Sequence, residues 1–184
     1  MSERPPVDRA RIETFLDALG RRTDVRGRLY LVGGTTLVYA GVRARTLDID
    51  IALEVDPADH GPFVRAVRDL KDKLQVNVEE ASPADFIPLP AGSRDRARYV
   101  GRYGRIDVFH FDPYSTALSK VARGREEDYA DILALLRADW LDWDRLVELF
   151  EEVRPRMATE SLKGDADEFA RHFDRLRAMW RGAP

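Results

Sequence analysis

Asp48 and Asp50 stand one residue apart inside the apolar run LDIDIALEV, residues 47–55. On a strand, side chains two apart point the same way, with alpha carbons about 6.5 Å apart. Two carboxylates so placed repel each other unless a cation sits beside them. Hard divalent cations such as Mg²⁺ take oxygen ligands of this kind, and metal-held carboxylates serve phosphoryl transfer. Alone, an Asp-x-Asp also fits a half-exposed strand with two surface acids. Upstream, Gly33-Gly34-Thr35 separates a strand-like run from a short apolar helix. Two glycines allow close backbone approach, a helix start offers N–H groups to phosphate, and Thr35 can cap the helix or donate to a phosphate oxygen. An ordinary tight turn is the plain alternative. The pattern is neither Gly-x-Gly-x-x-Gly nor Gly-Lys-Ser/Thr.

These residues need elements to position them. Ile12, Phe15, Leu16 and Leu19 share a helical face over residues 8–20. LYLVG reads as a buried strand, TTLVYAG as a short helix, and residues 47–55 as a strand. In that strand Leu47, Ile49, Ile51 and Leu53 face one side, with Asp48, Asp50 and Ala52 on the other. A helix over 58–74 and a strand in QVNVEE follow. SPADFIPLPAGS reads as a loop or lid, and RARYVGRYGRIDVFHFD as a hairpin. From Pro113 onward four helical segments are expected, with Asp112 as the cap of the first. The organisation is a mixed α/β core over 1–112 and a helical part over 113–184 packed on it.

Composition narrows the chemistry. There are no cysteines, which excludes disulfides, thiolate metal sites and Cys nucleophiles. The net charge of -3 argues against a bulk polyanion binder. Even so, SRDRARYVGRYGR carries five arginines interleaved with Tyr99 and Tyr103, a composition suited to nucleotide phosphates and bases. A solvated hairpin face is the alternative. His60, His110 and His172 have no metal-ligand spacing, and Trp140, Trp143 and Trp180 read as packing anchors. No secretory signal or membrane-length apolar run is visible, so a cytoplasmic location is expected. PPV near the start and RGAP at the end read as frayed termini.

Taken together, Gly33-Gly34-Thr35 followed by Arg45-Thr46-Leu47-Asp48-Ile49-Asp50 resembles the nucleotidyltransferase fold of the DNA polymerase β superfamily. More narrowly it is similar to the AbiEii-like toxin nucleotidyltransferases. Their downstream pattern, a Lys, an Arg and an acidic helical Asp-x-x-Asp block, is matched by Lys120, Arg123, Asp128 and Asp131. Glu127 stands where that family usually has a basic residue. The resemblance implies a small mixed sheet flanked by helices, and nucleoside monophosphate transfer from a triphosphate to an acceptor hydroxyl. It implies Asp48 and Asp50 on Mg²⁺ or Mn²⁺, with Asp107 as a third metal carboxylate and acceptor base. Gly33, Gly34, Thr35, Arg45, Thr46, Lys120 and Arg123 would hold the nucleotide. Asp131 would be the acid/base or positioning residue, with Asp128 its competitor. The implied partners are a nucleoside triphosphate, tRNA or another RNA acceptor, and a cognate antitoxin protein. A catalytically inactive binding module and a metal-dependent phosphoesterase are the rival readings.

Overall fold

The computed structural model describes residues 4–161 and 165–182. The chain divides into two compact units. The first runs up to Ala81 and includes Arg98–Phe111; the second joins Ser82–Ala97 to everything from Asp112 onward. SPADFIPLPAGS therefore groups with the C-terminal helices, although it precedes the hairpin in sequence.

The first unit holds a five-stranded mixed sheet in the order β3-β2-β1-β5-β4. The strands are β1 (Gly27–Leu31), β2 (Ile49–Val55), β3 (Val78–Glu80), β4 (Arg98–Tyr103) and β5 (Ile106–His110). β2 runs antiparallel to β1, whereas β5 runs parallel to it. Three helices belong to this unit: α1 (Arg9–Arg22), α2 (Gly33–Tyr39) and α3 (Pro57–Leu74). One face of the sheet is aliphatic. Leu29, Leu31, Ile49, Ile51, Ile106 and Val108 form a single core with Ile12, Phe15, Leu16 and Leu19 of α1 and with Phe63 and Leu70 of α3. The alternation of the strands and the helical stripes are what produce this core.

Two local expectations are corrected here. β2 begins at Ile49, and Leu47 and Asp48 lie in a bend before it. Leu47 consequently leaves the apolar face and is 71% exposed. Nor is the start of the chain frayed at Val7. That residue is fully buried and bridges Thr46 through Val7 N–H to Thr46 O at 2.8 Å and Thr46 N–H to Val7 O at 2.9 Å. Ala183 and Pro184 lie outside the described residues.

His110, at the end of β5, is buried beside Thr36, with Nδ1 to Oγ1 at 3.4 Å, and edge-on to Tyr39. Burial first, then the nearby Arg98 and Arg9, lower its pKa from 6.5 to about 4. The unfolded chain therefore takes up a proton at higher pH than the folded one. The contribution is intact above pH 6.5 and is lost as pH falls toward 4, a difference of roughly 3 kcal/mol. Urea unfolding of wild type and His110→Gln at pH 7 and pH 4 should show the extra acid sensitivity in the wild type only.

The second unit is helical. A 3-10 turn, Pro83–Asp85, precedes α4 (Pro113–Arg123), α5 (Glu126–Arg137), α6 (Trp143–Glu160) and α7 (Ala166–Arg181). Asp112 caps α4 as expected, accepting from the N–H groups of Tyr114 and Ser115 and from the Ser115 hydroxyl at 2.6 Å. The Arg96 guanidinium grips the same carboxylate at 3.1 and 2.9 Å, which ties the long loop to the helix start. α6 continues through Pro155 to Glu160. Buried Val153 and Met157 on either side hold the helix together across the missing N–H. Trp143, Phe150 and Phe173 stack in series, with ring centroids at 5.8 Å for Trp143–Phe173 and 3.8 Å for Phe150–Phe173.

Candidate active site

The carboxylate pair is built by the joint between β1, α2 and β2. β1 ends at Leu31 and α2 starts at Gly33, which has φ of +55°. A side chain there would be strained, and its Cβ would lie 3.0 Å from Asp50 Oδ2. Glycine thus lets the carboxylate lie against the backbone of the turn. At Gly34 an added Cβ would come within 2.6 Å of Thr46 Oγ1. Both glycines are required by close approach, and each one abuts a residue of the Arg45–Asp50 segment.

Thr35 has a different role from the one expected. α2 takes Val32 as its cap, with no side-chain capping bond. Thr35 is fully buried. Its hydroxyl accepts the Asp50 N–H at 2.7 Å and donates to the Asp48 carbonyl at 3.3 Å. It therefore clamps the backbone on both sides of Ile49 and sets where the two carboxylates point. Removing the hydroxyl leaves a buried N–H without its partner, a cost of about 1–3 kcal/mol. Thr35→Val should lose that much stability in chemical denaturation, whereas Thr35→Ser should retain most of it.

Asp48 and Asp50 are both half-buried. Asn77 Nδ2 donates to Asp48 Oδ1 at 2.8 Å. β3 pairs parallel to β2 with Asp50 opposite Glu79, so an exposed third carboxylate stands next to Asp50 on the same face. Glu79 was missed in the sequence. Its only signal was the alternation Asn77-Val78-Glu79, which mirrors Asp48-Ile49-Asp50. Among the described residues no three of His, Cys, Asp and Glu converge as a ready ligand group. Arg45 is exposed and its side chain makes no bond or ion pair among the described residues.

The second unit holds the other expected residues. Lys120 is 4% exposed and donates to Asp128 Oδ1 at 2.9 Å and Asp131 Oδ2 at 2.8 Å. Arg123 also donates to Asp128 through Nε, at 3.1 Å, and through Nη2. Lys120 and Arg123 meet Asp128 and Asp131 here, and the cluster joins α4 to α5. The competing pair Asp128 and Asp131 both serve it. Of the three ammonium protons of Lys120, two are committed to these carboxylates.

A family model described as nucleotidyltransferase of unknown function (DUF6036) matches residues 10–181. The chain belongs to that family. No curated protein and no solved structure matches it. The family match spans both units and includes every candidate residue above.

For this nucleotidyltransferase, Asp107 is the expectation the structure overturns. It pairs with Arg28 on β1, and Arg28 pairs with Glu54 near the end of β2. Asp50 lies four residues back along β2, about 13 Å away. Asp107 instead faces Arg102 at 3.4 Å. It cannot complete a metal site with Asp48 and Asp50. No helix of the described residues is long and apolar enough to cross a membrane.

Proposed function

We propose that the chain moves a nucleoside monophosphate from a nucleoside triphosphate to an acceptor hydroxyl, with RNA as the acceptor. Family membership supports nucleotidyl transfer in general. The observation that carries the finer reading is the clamped carboxylate pair: Asp48 and Asp50 fixed by Thr35, with Asp50 lying against Gly33. A strand that needed only a fold would not commit a buried hydroxyl and a left-handed glycine to placing two acids.

The donor set fits Mg²⁺ or Mn²⁺. Both side chains offer hard oxygens, and Mg²⁺ is commonly held by one or two carboxylates together with water and substrate phosphates. Asp48 and Asp50 would hold the ion, which neutralises phosphate charge when bound. Asp107 has no part in it. Glu79, exposed beside Asp50, would accept the proton of the acceptor hydroxyl. Arg45 supplies an uncommitted guanidinium to the triphosphate. Gly33 and Gly34 let Asp50 and Thr46 close against the start of α2. Thr35 positions the acids and does not touch the nucleotide. In the second unit Asp128 and Asp131 hold the Lys120 ammonium in place and leave it one uncommitted proton.

The narrower likeness to AbiEii-like toxins motivates two further parts of the proposal, a toxic or defensive role and a cognate antitoxin. Both rest on the motif resemblance alone.

Calorimetric titration with each of the four nucleoside triphosphates tests the donor side. One triphosphate should bind at micromolar concentration with Mg²⁺ present and far more weakly with EDTA. Metal-independent binding of all four, or no binding, would contradict it.

A further inference from the structure

The sheet face opposite the aliphatic core carries three kinds of chemistry in a row. In-register partners share a face. Asp50, Ala52 and Glu54 on β2 therefore line up with Tyr30 and Arg28 on β1 and with Phe109 and Asp107 on β5. On β4 a register shift between Tyr99 and Gly101 places Tyr99 opposite Phe109 and Arg102 opposite Asp107. Without that bulge Tyr99 and Arg102, three apart, would point to opposite faces.

At one end of the face stands Asp50. One step of about 6.5 Å along the strands, and one to three strands of about 4.8 Å across from it, come the aromatics: Tyr99 packs edge-on to Phe109 at 5.3 Å, and Tyr30 lies 5.8 Å from Phe109. Tyr99 is 61% exposed, unusual for a large ring on a strand. One further step along is an arginine-lined cavity of about 370 Å³, bordered by Arg26, Arg28, Arg102, Arg105, Glu54 and Asp107. Four guanidiniums face two carboxylates there, a formal surplus of two positive charges. The surplus has an address. Arg102 pairs with Asp107, and Arg28 lies over Phe109 at 5.2 Å. The side chains of Arg26 and Arg105 make no bond or ion pair with any described residue.

Acid, ring and cation at successive steps along one face match what a single-stranded nucleic acid presents: a terminal hydroxyl, bases, and phosphates. Stacking on exposed aromatics flanked by arginine is how single strands are bound without duplex geometry. We propose that this face is the acceptor site. A single-stranded end lies along it, with a base on Tyr99 and Phe109, a phosphate in the arginine cavity, and the terminal hydroxyl toward Asp50. The proposal rests on the nucleotidyl-transfer reading for its direction, but the binding surface stands or falls separately.

The test is fluorescence anisotropy with labelled 12-nucleotide single-stranded RNA and DNA, in EDTA and without nucleotide, across a KCl series. A polyglutamate peptide and a hairpin duplex serve as comparators. Wild type and Asp48→Asn should bind the single strands alike. Arg26→Ala/Arg105→Ala, which removes two exposed and unpaired side chains from the one phosphate site, should weaken binding about tenfold and lower the salt slope by roughly 0.7. Tyr99→Ala should weaken it roughly 5- to 100-fold with the slope unchanged, and Tyr99→Phe should bind as wild type. A difference between the RNA and DNA arms would name the acceptor sugar. Equal binding by every variant, tighter binding of polyglutamate, or no oligonucleotide binding would overturn the proposal. Intact single-strand binding with no nucleotidyl transfer by wild type would overturn the function proposed above and leave this surface standing.

Discussion

Asp48→Asn and Asp50→Asn should each lower the nucleotidyl-transfer rate by about 10²–10³-fold or more while leaving the fold intact. The reason is local. Asparagine is nearly isosteric, so Asn77 and Thr35 keep their contacts, and the Thr35 clamp acts on the backbone of this segment. What is lost is the negative charge that holds a divalent cation against a triphosphate. Electrostatic groups aimed at developing charge are worth about 3–4 kcal/mol each, which sets that scale. In Asp48→Asn stability should hold or rise, because one of two like charges on neighbouring positions is removed. Initial rates with saturating Mg²⁺, read beside urea midpoints, check both halves. Loss of activity together with a large drop in midpoint would mean that the acids are structural.

Lys120→Met should destabilise the second unit by about 3–5 kcal/mol. The ammonium is buried and holds Asp128 and Asp131 together at 2.9 and 2.8 Å. Removing it takes away an ammonium that two buried carboxylates share, and breaking a buried pair from one side carries a cost of that size. The double variant Lys120→Met/Asp131→Asn should recover part of the loss, since one of the two carboxylates that lost the ammonium goes with it. Chemical denaturation of the single and double variants measures the recovery. A Lys120→Met protein as stable as wild type would show that the cluster is not a structural clamp.

Much of the local structure around the candidate site was legible in the sequence because its signals are local. The Gly33-Gly34-Thr35 joint, the Asp48-Asp50 alternation and the Asp112 cap each depend on a few neighbouring residues. Asp107 was misplaced because pairing direction is not local. β5 runs parallel to β1 while β2 runs antiparallel, so acids near the start of β2 and β5 end up at opposite ends of the sheet. Glu79 was overlooked for the same reason, since only the β2–β3 register brings it to Asp50. Thr35 looked like a cap because hydroxyls at helix starts usually are; here the backbone of β2 competes for it and wins. The bulge that turns Tyr99 outward leaves one mark in RYVGRY, the strand-interior Gly101, which does not say which neighbour it turns.

The most direct test of the central claim is incubation with α-³²P and, separately, γ-³²P nucleoside triphosphates, Mg²⁺ and total bacterial RNA, beside Asp48→Asn. The account predicts that the α label enters RNA, the γ label leaves as pyrophosphate, and the variant transfers neither. Release of inorganic phosphate with no label on any acceptor, or nucleotide binding without turnover, would contradict it.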